Sequence, residues 1–259
     1  MGYPAWLKMK STIHFSIKGW SAWAPGLCDA KDWVQWSFVP FCPNGDESPN
    51  SSAIPPMQRR RLNRITRMVY HVVDHIPRSN EVAQVYCSRH GDLAKSTELL
   101  VQLAHRESLS SLNFGLSVHN AVAGNISILQ HNNQEITSLA AGRDGLVNAL
   151  VETTAQCYDN QKDVLLVVYD ETVPLQYSAD LEFTQPAVFA YALLISVGND
   201  YSIDWQNRQD EFTPMMTDVP TELDFFAWFL NKQQKSWSYL SNATQWHIHR
   251  IGHDGNDTK

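Results

Sequence analysis

Between Ser11 and Ile17 polar and apolar side chains alternate, and the segment "STIHFSIKGWSAWAPG" closes on Pro25-Gly26. A period of two that runs into a turn pair predicts a first strand. "PFCPNGDESPNSSAIPP" is dense in Pro, Asn and Ser and predicts a loop. In "MQRRRLNRITRMVYHVVDHI", Leu62, Ile65, Met68, Val69, Val72 and Val73 recur at helical spacing, which predicts one helix with a basic first half. "EVAQVYCSRHG" predicts a short buried strand, and Asp92 is placed to cap a helix over "DLAKSTELLVQLAHRE". "LNFGLSV" predicts a loop, and Asn120 to Gln130 a helix rich in small residues. "EITSL" then predicts a strand, "GLVNALVETTAQCYD" a helix, and "DVLLVVYDE" and "PAVFAYALLISVG" two buried strands. Strands alternating with helices imply a layered α/β fold.

From Asn199 the pattern changes. Trp205, Trp228, Trp237 and Trp246 fall in this tail, with one amphipathic helix predicted in "TELDFFAWFLNKQQKSW" and one final strand in "QWHIHRIGHDG". The expected organisation is a domain over 1–198 and an aromatic extension over 199–259 that packs on it. Phe225, Phe226, Trp228 and Phe229 are core candidates, with a partner-facing surface as the alternative.

Composition narrows the class. A 259-residue chain that is 43% hydrophobic and 18% charged folds around a sizeable core. A net charge of -7 argues against a general nucleic-acid binder. Cys28, Cys42, Cys87 and Cys157 form no C-x-x-C pair, so reduced thiols in a cytoplasmic protein are expected. No secretory leader pattern and no bilayer-length apolar run is present.

Several residues could carry chemistry. Cys87 and His90 could act as nucleophile and base, but residues three apart on a strand face opposite ways, and a buried cysteine is the favoured reading. His71, Asp74 and His75 share a helix face, and His247 and His249 a strand face. Either set could begin a metal site, yet no further ligands support one, and polar faces and no metal are expected. Arg59, Arg60, Arg61, Arg64 and Arg67 form the dense basic cluster. A solvated helix start explains it, although cations are disfavoured at a helix N-terminus, and an acidic partner is the alternative. Finally, "EITSLAAGRDGLVNALVET" reads as strand, cramped turn and helix, the layout that often presents a nucleophile. Here the turn offers Ala140, Ala141 and Gly142.

"IPPMQRRRLNRITRMVYHVV", "VYCSRHGDLAKSTELL", "FGLSVHNAVAGNISI" and "DVLLVVYDE" together resemble, in matching order, the N-terminal half of a β-ketoacyl synthase. The likeness spans roughly Ser11 to Gly198 and is nearest in type to the short chain length factor subunits of type II polyketide synthases that make aryl polyenes. It implies a thiolase-like layered fold, essentially its N-terminal half, with the Trp-rich extension appended. Condensing members carry a cysteine at the elbow. Anchoring on Gly145 puts that position at Gly142, and anchoring on Ile136 puts it at Ala140. Neither supplies a nucleophile. The two catalytic histidines of the second half have no counterpart either.

The resemblance therefore implies a non-catalytic subunit without cofactor. It would heterodimerise with a ketosynthase through an interface of Glu135, Ile136, Thr137, Ser138, Leu139, His119 and Asn120. Phe114, Leu116, Val118 and Val122 would shape the partner's acyl tunnel, and overlong chains would meet a steric limit. Arg59, Arg60 and Arg61 are candidates for transient docking of acyl carrier protein. The alternative is a stand-alone acyl-thioester decarboxylase or hydrolase using Cys87 or Ser138.

Overall fold

The computed structural model describes residues 11–78, 81–177, 187–207, 218–241 and 244–252. The remainder of the predicted tail and the first ten residues lie outside the described residues. Seven strands form one sheet in the order β3-β2-β4-β5-β7-β6, with β1 also paired to β5. β2 (Ala83–Cys87), β3 (Ile136–Leu139) and β4 (Val164–Asp170) run parallel. β4 is buried at every position, as its unbroken apolar run requires of a strand covered on both faces.

β5 (Phe189–Asn207) is the spine of the sheet. Its first half pairs antiparallel with β4, its second half with β7 (Thr244–Arg250), and β1 (Ser11–Trp23) follows it along both halves. It runs without interruption through residues 198 and 199, so the aromatic segment begins inside a strand. β1 shifts register between Phe15 and Ser16 and again between Ile17 and Gly19. A Cβ on Gly198 would stand 2.0 Å from Ser16 Oγ, so only glycine lets β1 pass there.

Helices cover both faces. α3 (Arg64–Asp74) and α6 (Ala121–Gln130) seal one through Ile65, Met68, Val69, Val72, Val122 and Ile126. α1 (Ala30–Trp36), α7 (Gly145–Asn160) and α8 (Thr221–Leu230) seal the other. In that second layer Tyr191 stacks on Phe226 at 4.3 Å, and Trp20 and Trp33 meet the same ring edge-on. The orphan carbonyls at the end of α8 are met by Arg250, which donates to the Trp228 and Phe229 oxygens at 2.6 and 3.1 Å.

Four expectations need correction. The helix predicted over residues 57–76 is two, α2 (Pro56–Arg59) and α3, because Asn63 accepts from Thr66 N and caps a new helix start. "LNFGLSV" is not a loop but contains α5 (Ser111–Ser117), capped by Ser110. α8 is not amphipathic, since Glu222, Leu223 and Phe225 to Leu230 are all buried, and it stops at Leu230. Two strands follow it rather than one, β6 (Ser236–Leu240) and β7, paired as a hairpin. α1 was not anticipated, although Asp29 and Asp32 close a capping box around its start. The predicted cap Asp92 does accept from Lys95 N, at the head of α4 (Leu93–Ala104).

Candidate functional site

The outermost strand at one end of the sheet is β3. Glu135 O accepts from Gln84 N at 3.0 Å and Leu139 O from Ser88 N at 3.4 Å. Backbone groups alternate sides along a strand, so those of Ile136 and Ser138 point away from β2, along an open edge. Glu135 is exposed and Ile136 to Leu139 are half-buried. Thr137 Oγ1 accepts from Gln156 of α7 at 3.0 Å, Leu139 joins the α7 layer and Ile136 the α6 layer. Ser138 Oγ is buried without a hydrogen-bond partner, so no base activates it.

The chain then turns. Ala140, Ala141 and Gly142 are exposed, Gly142 takes φ +59°, and a short 3-10 turn over Gly142–Asp144 leads into α7. Only a residue without a Cβ adopts that backbone freely. A Cβ on Gly145 would lie 3.2 Å from Cys87 Sγ, so the helix start packs directly on that thiol. The hairpin braces the turn from outside: Tyr239 OH donates to Arg143 O at 3.0 Å.

Cys87 is 2% exposed. Burial pushes its thiol well above the ordinary range, and the nearby Glu222 and Asp170 carboxyls push the same way. Such a thiol stays protonated and inert. His90 has left the strand, and its Nε2 is buried without a partner, so no Cys-His pair forms.

Asp170, at the end of β4, is a polar centre that sequence reading passed over. Its carboxylate accepts from Ser88 Oγ at 2.8 Å, Arg89 N at 3.0 Å and His90 N at 3.1 Å. The available signal was an acid closing a wholly apolar strand, in "LLVVYD".

The proposed tunnel residues divide. Val122 is buried and Leu116 half-buried, while Phe114 and Val118 are exposed. Leu116 and Val122 line a cleft of about 290 Å³ together with Arg61, Asn63, Lys95 and Asn125. Around it α4, α5 and α6 leave Leu100, Leu103, Leu112, Phe114 and Ile128 each more than half exposed. His119, between α5 and α6, turns inward to Ser88, and Asn120 is exposed.

The other candidates are scattered. Arg59 is half-buried and reaches Ser51 O, while Arg60 and Arg61 are exposed on the turn after α2, not on the first turn of the long helix. Arg64 pairs with Glu171 at 2.6 Å and Arg67 donates to Arg59 O. His71 and His75 stack at 4.0 Å, and burial, then the neighbouring His75, lowers His71 to about 4. Asp74 hydrogen-bonds Tyr70 instead. His247 is held by Ser238 at 2.8 Å, and His249 stands 3.5 Å from Asp204. Among the described residues no group of three or more His, Cys, Asp or Glu is placed to hold a metal ion. No described helix is long and apolar enough to cross a membrane.

A mixed sheet between two helical layers, with an edge strand feeding a tight elbow and a buried helix, defines a thiolase-like fold, here about its N-terminal half. Residues 33–248 match the family described as beta-ketoacyl synthase, N-terminal domain, and the chain belongs to that family. The match ends in β7, well beyond Gly198. Among solved structures the chain is similar to one in the complex of the ketosynthase ApeO with its chain length factor ApeC from Xenorhabdus doucetiae. Identity there is 28% with a TM-score of 0.78, covering 92% of this chain and 100% of the other. The ishigamide ketosynthase/chain length factor matches at 11% identity and TM-score 0.70, over 92% and 100% of the two chains. The complex of AntDE with AntF, a type II acyl carrier protein with its hexaketide-bound ketosynthase, matches at 10% and 0.63, over 94% and 100%. These last two likenesses concern the fold alone. No curated protein matches the chain.

Proposed function

We propose that this chain is a chain length factor: a subunit without chemistry of its own that pairs with a ketosynthase and shapes its acyl tunnel during aryl polyene elongation. One observation carries the reading. β3 runs through a tight turn with Gly142 at positive φ into α7, yet Ala140 to Gly142 offer no nucleophile.

Pairing follows from the surfaces around it. The outward N–H and C=O groups of Ile136 and Ser138 suit strand addition from a partner sheet. The leucine-rich flank of α4 and α5 is apolar surface of the kind that subunit contacts cover. The likeness to a chain of the ApeO–ApeC complex supports the same pairing here.

Phe114, Leu116, Val118 and Val122 then act as the tunnel's far wall. A chain that reaches a bulky side chain gains no further burial and must displace packed atoms to extend. Arg60 and Arg61, exposed in an otherwise acidic protein, serve as the docking point for the acidic carrier that delivers each unit. A stand-alone thioester enzyme finds no support, because Cys87 is buried and protonated and Ser138 lacks a base.

Co-expression with the cognate ketosynthase tests the proposal. A stable one-to-one complex is expected on size exclusion, with condensation activity that needs the partner's cysteine. A well-behaved monomer that ignores the ketosynthase overturns it.

A further inference from the structure

We infer that His119 is a positioning residue for product length, tying the wall of the proposed tunnel to the buried Asp170 centre. The inference rests on the chain-length reading above and assigns the control of that same site to a residue outside its apolar lining.

The tether can be followed atom by atom. Asp170 is 7% exposed and binds Ser88 Oγ and the Arg89 and His90 amides. Ser88 Oγ in turn accepts from Gly91 N at 2.8 Å, so residues 88–91 wrap around one carboxylate. This wrap fixes the direction of the Ser88 carbonyl. His119 Nε2 meets that carbonyl at 3.1 Å. A carbonyl only accepts, so His119 carries its proton on Nε2. Gly91 takes φ +58°, and a Cβ there would come 3.4 Å from His119 Cδ2. The positive φ calls for glycine there, and the loop packs against the ring.

What the ring holds is the α5–α6 junction. Val118 ends α5 in an extended conformation, Ala121 N bonds Val118 O at 3.0 Å, and α6 begins at once. Phe114, Leu116 and Val118 lie just before the anchor and Val122 just after it. α5 buries none of its residues, so packing does little to hold it. With His119 in place the wall is stiff, and an overlong chain meets a steric limit. Without it, α5 can retreat and admit one more unit at small cost.

The test uses the complete complex with the ketosynthase. His119→Leu keeps the bulk and loses the donor, while His119→Gln keeps an amide donor at similar reach. For the Leu variant we expect an intact one-to-one complex and a roughly three- to tenfold rise in the ratio of longer to shorter products, the size of one net hydrogen bond. Amide exchange at Ala121 should speed up in step, and His119→Gln should restore both. Ser88→Ala, which frees the carbonyl instead of the ring, should shift length the same way, and it serves if the Leu variant fails to fold. An intact variant complex with unchanged product lengths overturns the role of His119 and leaves the subunit assignment standing. Failure of the wild-type chain to bind the ketosynthase overturns both.

Discussion

Two helical regions of the molecule are finished differently. In the α7 layer α8 is almost wholly buried: Phe226 sits among Trp20, Trp33, Tyr191 and Phe229, and Arg250 closes the helix end, while Phe38, Val39 and Phe41 after α1 stay exposed. On α4 and α5, Leu100, Leu103, Leu112 and Phe114 face solvent. A chain able to bury an entire aromatic helix does not leave leucines exposed for want of apolar packing. On the proposed function, the contrast separates a helix that stabilises the monomer from a surface offered to a partner.

That contrast can be broken in order of expected effect. Phe226→Ala attacks the buried helix and should cost about 3–5 kcal/mol of stability by denaturant titration. A loss below about 1 kcal/mol would mean that α8 is draped on the sheet and not packed into it.

Next comes Glu222, 5% exposed at the head of the same helix. Burial first, then Asp170, raises its carboxyl from 4.5 to about 7. Because the folded value lies above the unfolded one, its contribution is full below pH 4.5 and is lost as pH rises through 7. Glu222→Gln should therefore match the wild type at pH 4 and exceed it at pH 8 by on the order of 3 kcal/mol. Unfolding curves with the same difference at both pH values would sink the claim.

Ser138→Pro attacks the open edge of β3. It removes an outward N–H and leaves the β2 ladder bonds alone, so ketosynthase binding should fall at least ~100-fold while the melting midpoint moves only a few degrees. Isothermal titration beside a thermal scan would decide, and a variant that binds normally would place the partner elsewhere. Smallest is Arg60→Ala with Arg61→Ala, expected to weaken carrier-protein binding about fivefold at low salt and less at high salt. An effect insensitive to salt would remove the electrostatic docking role.

Much of this was legible before the structure. β2, β4 and β5 are apolar runs that any packed sheet would bury, and Asp92 and Asn120 stand where helices begin. What escaped notice depended on local competition or distant contacts. Asn63 interrupts an otherwise continuous helical period by capping a new start. α5 hid because Leu112 and Phe114 face outward, so no stripe marks an inner face. β6 did carry a signal, with Trp237 and Tyr239 inward against Ser236 and Ser238, but the helix reading was extended over it. The elbow glycine could be read from sequence because φ constrains residue type. Asp170 itself carried a signal, as an acid closing an apolar strand, but its partners, Ser88 and two backbone amides some eighty residues earlier, could not be read.

β1 bears on the order in which the molecule is made. Among the described residues its ladder partner is β5, so β1 waits unpaired until Phe189–Asn207 has been synthesised. β2, β3 and the flank of α4 to α6 are complete well before that. During synthesis the side proposed to meet a partner is thus available before the chain can close its own core. A ketosynthase that engages the nascent chain at that stage would shield the leucines during the interval in which they are most prone to aggregate.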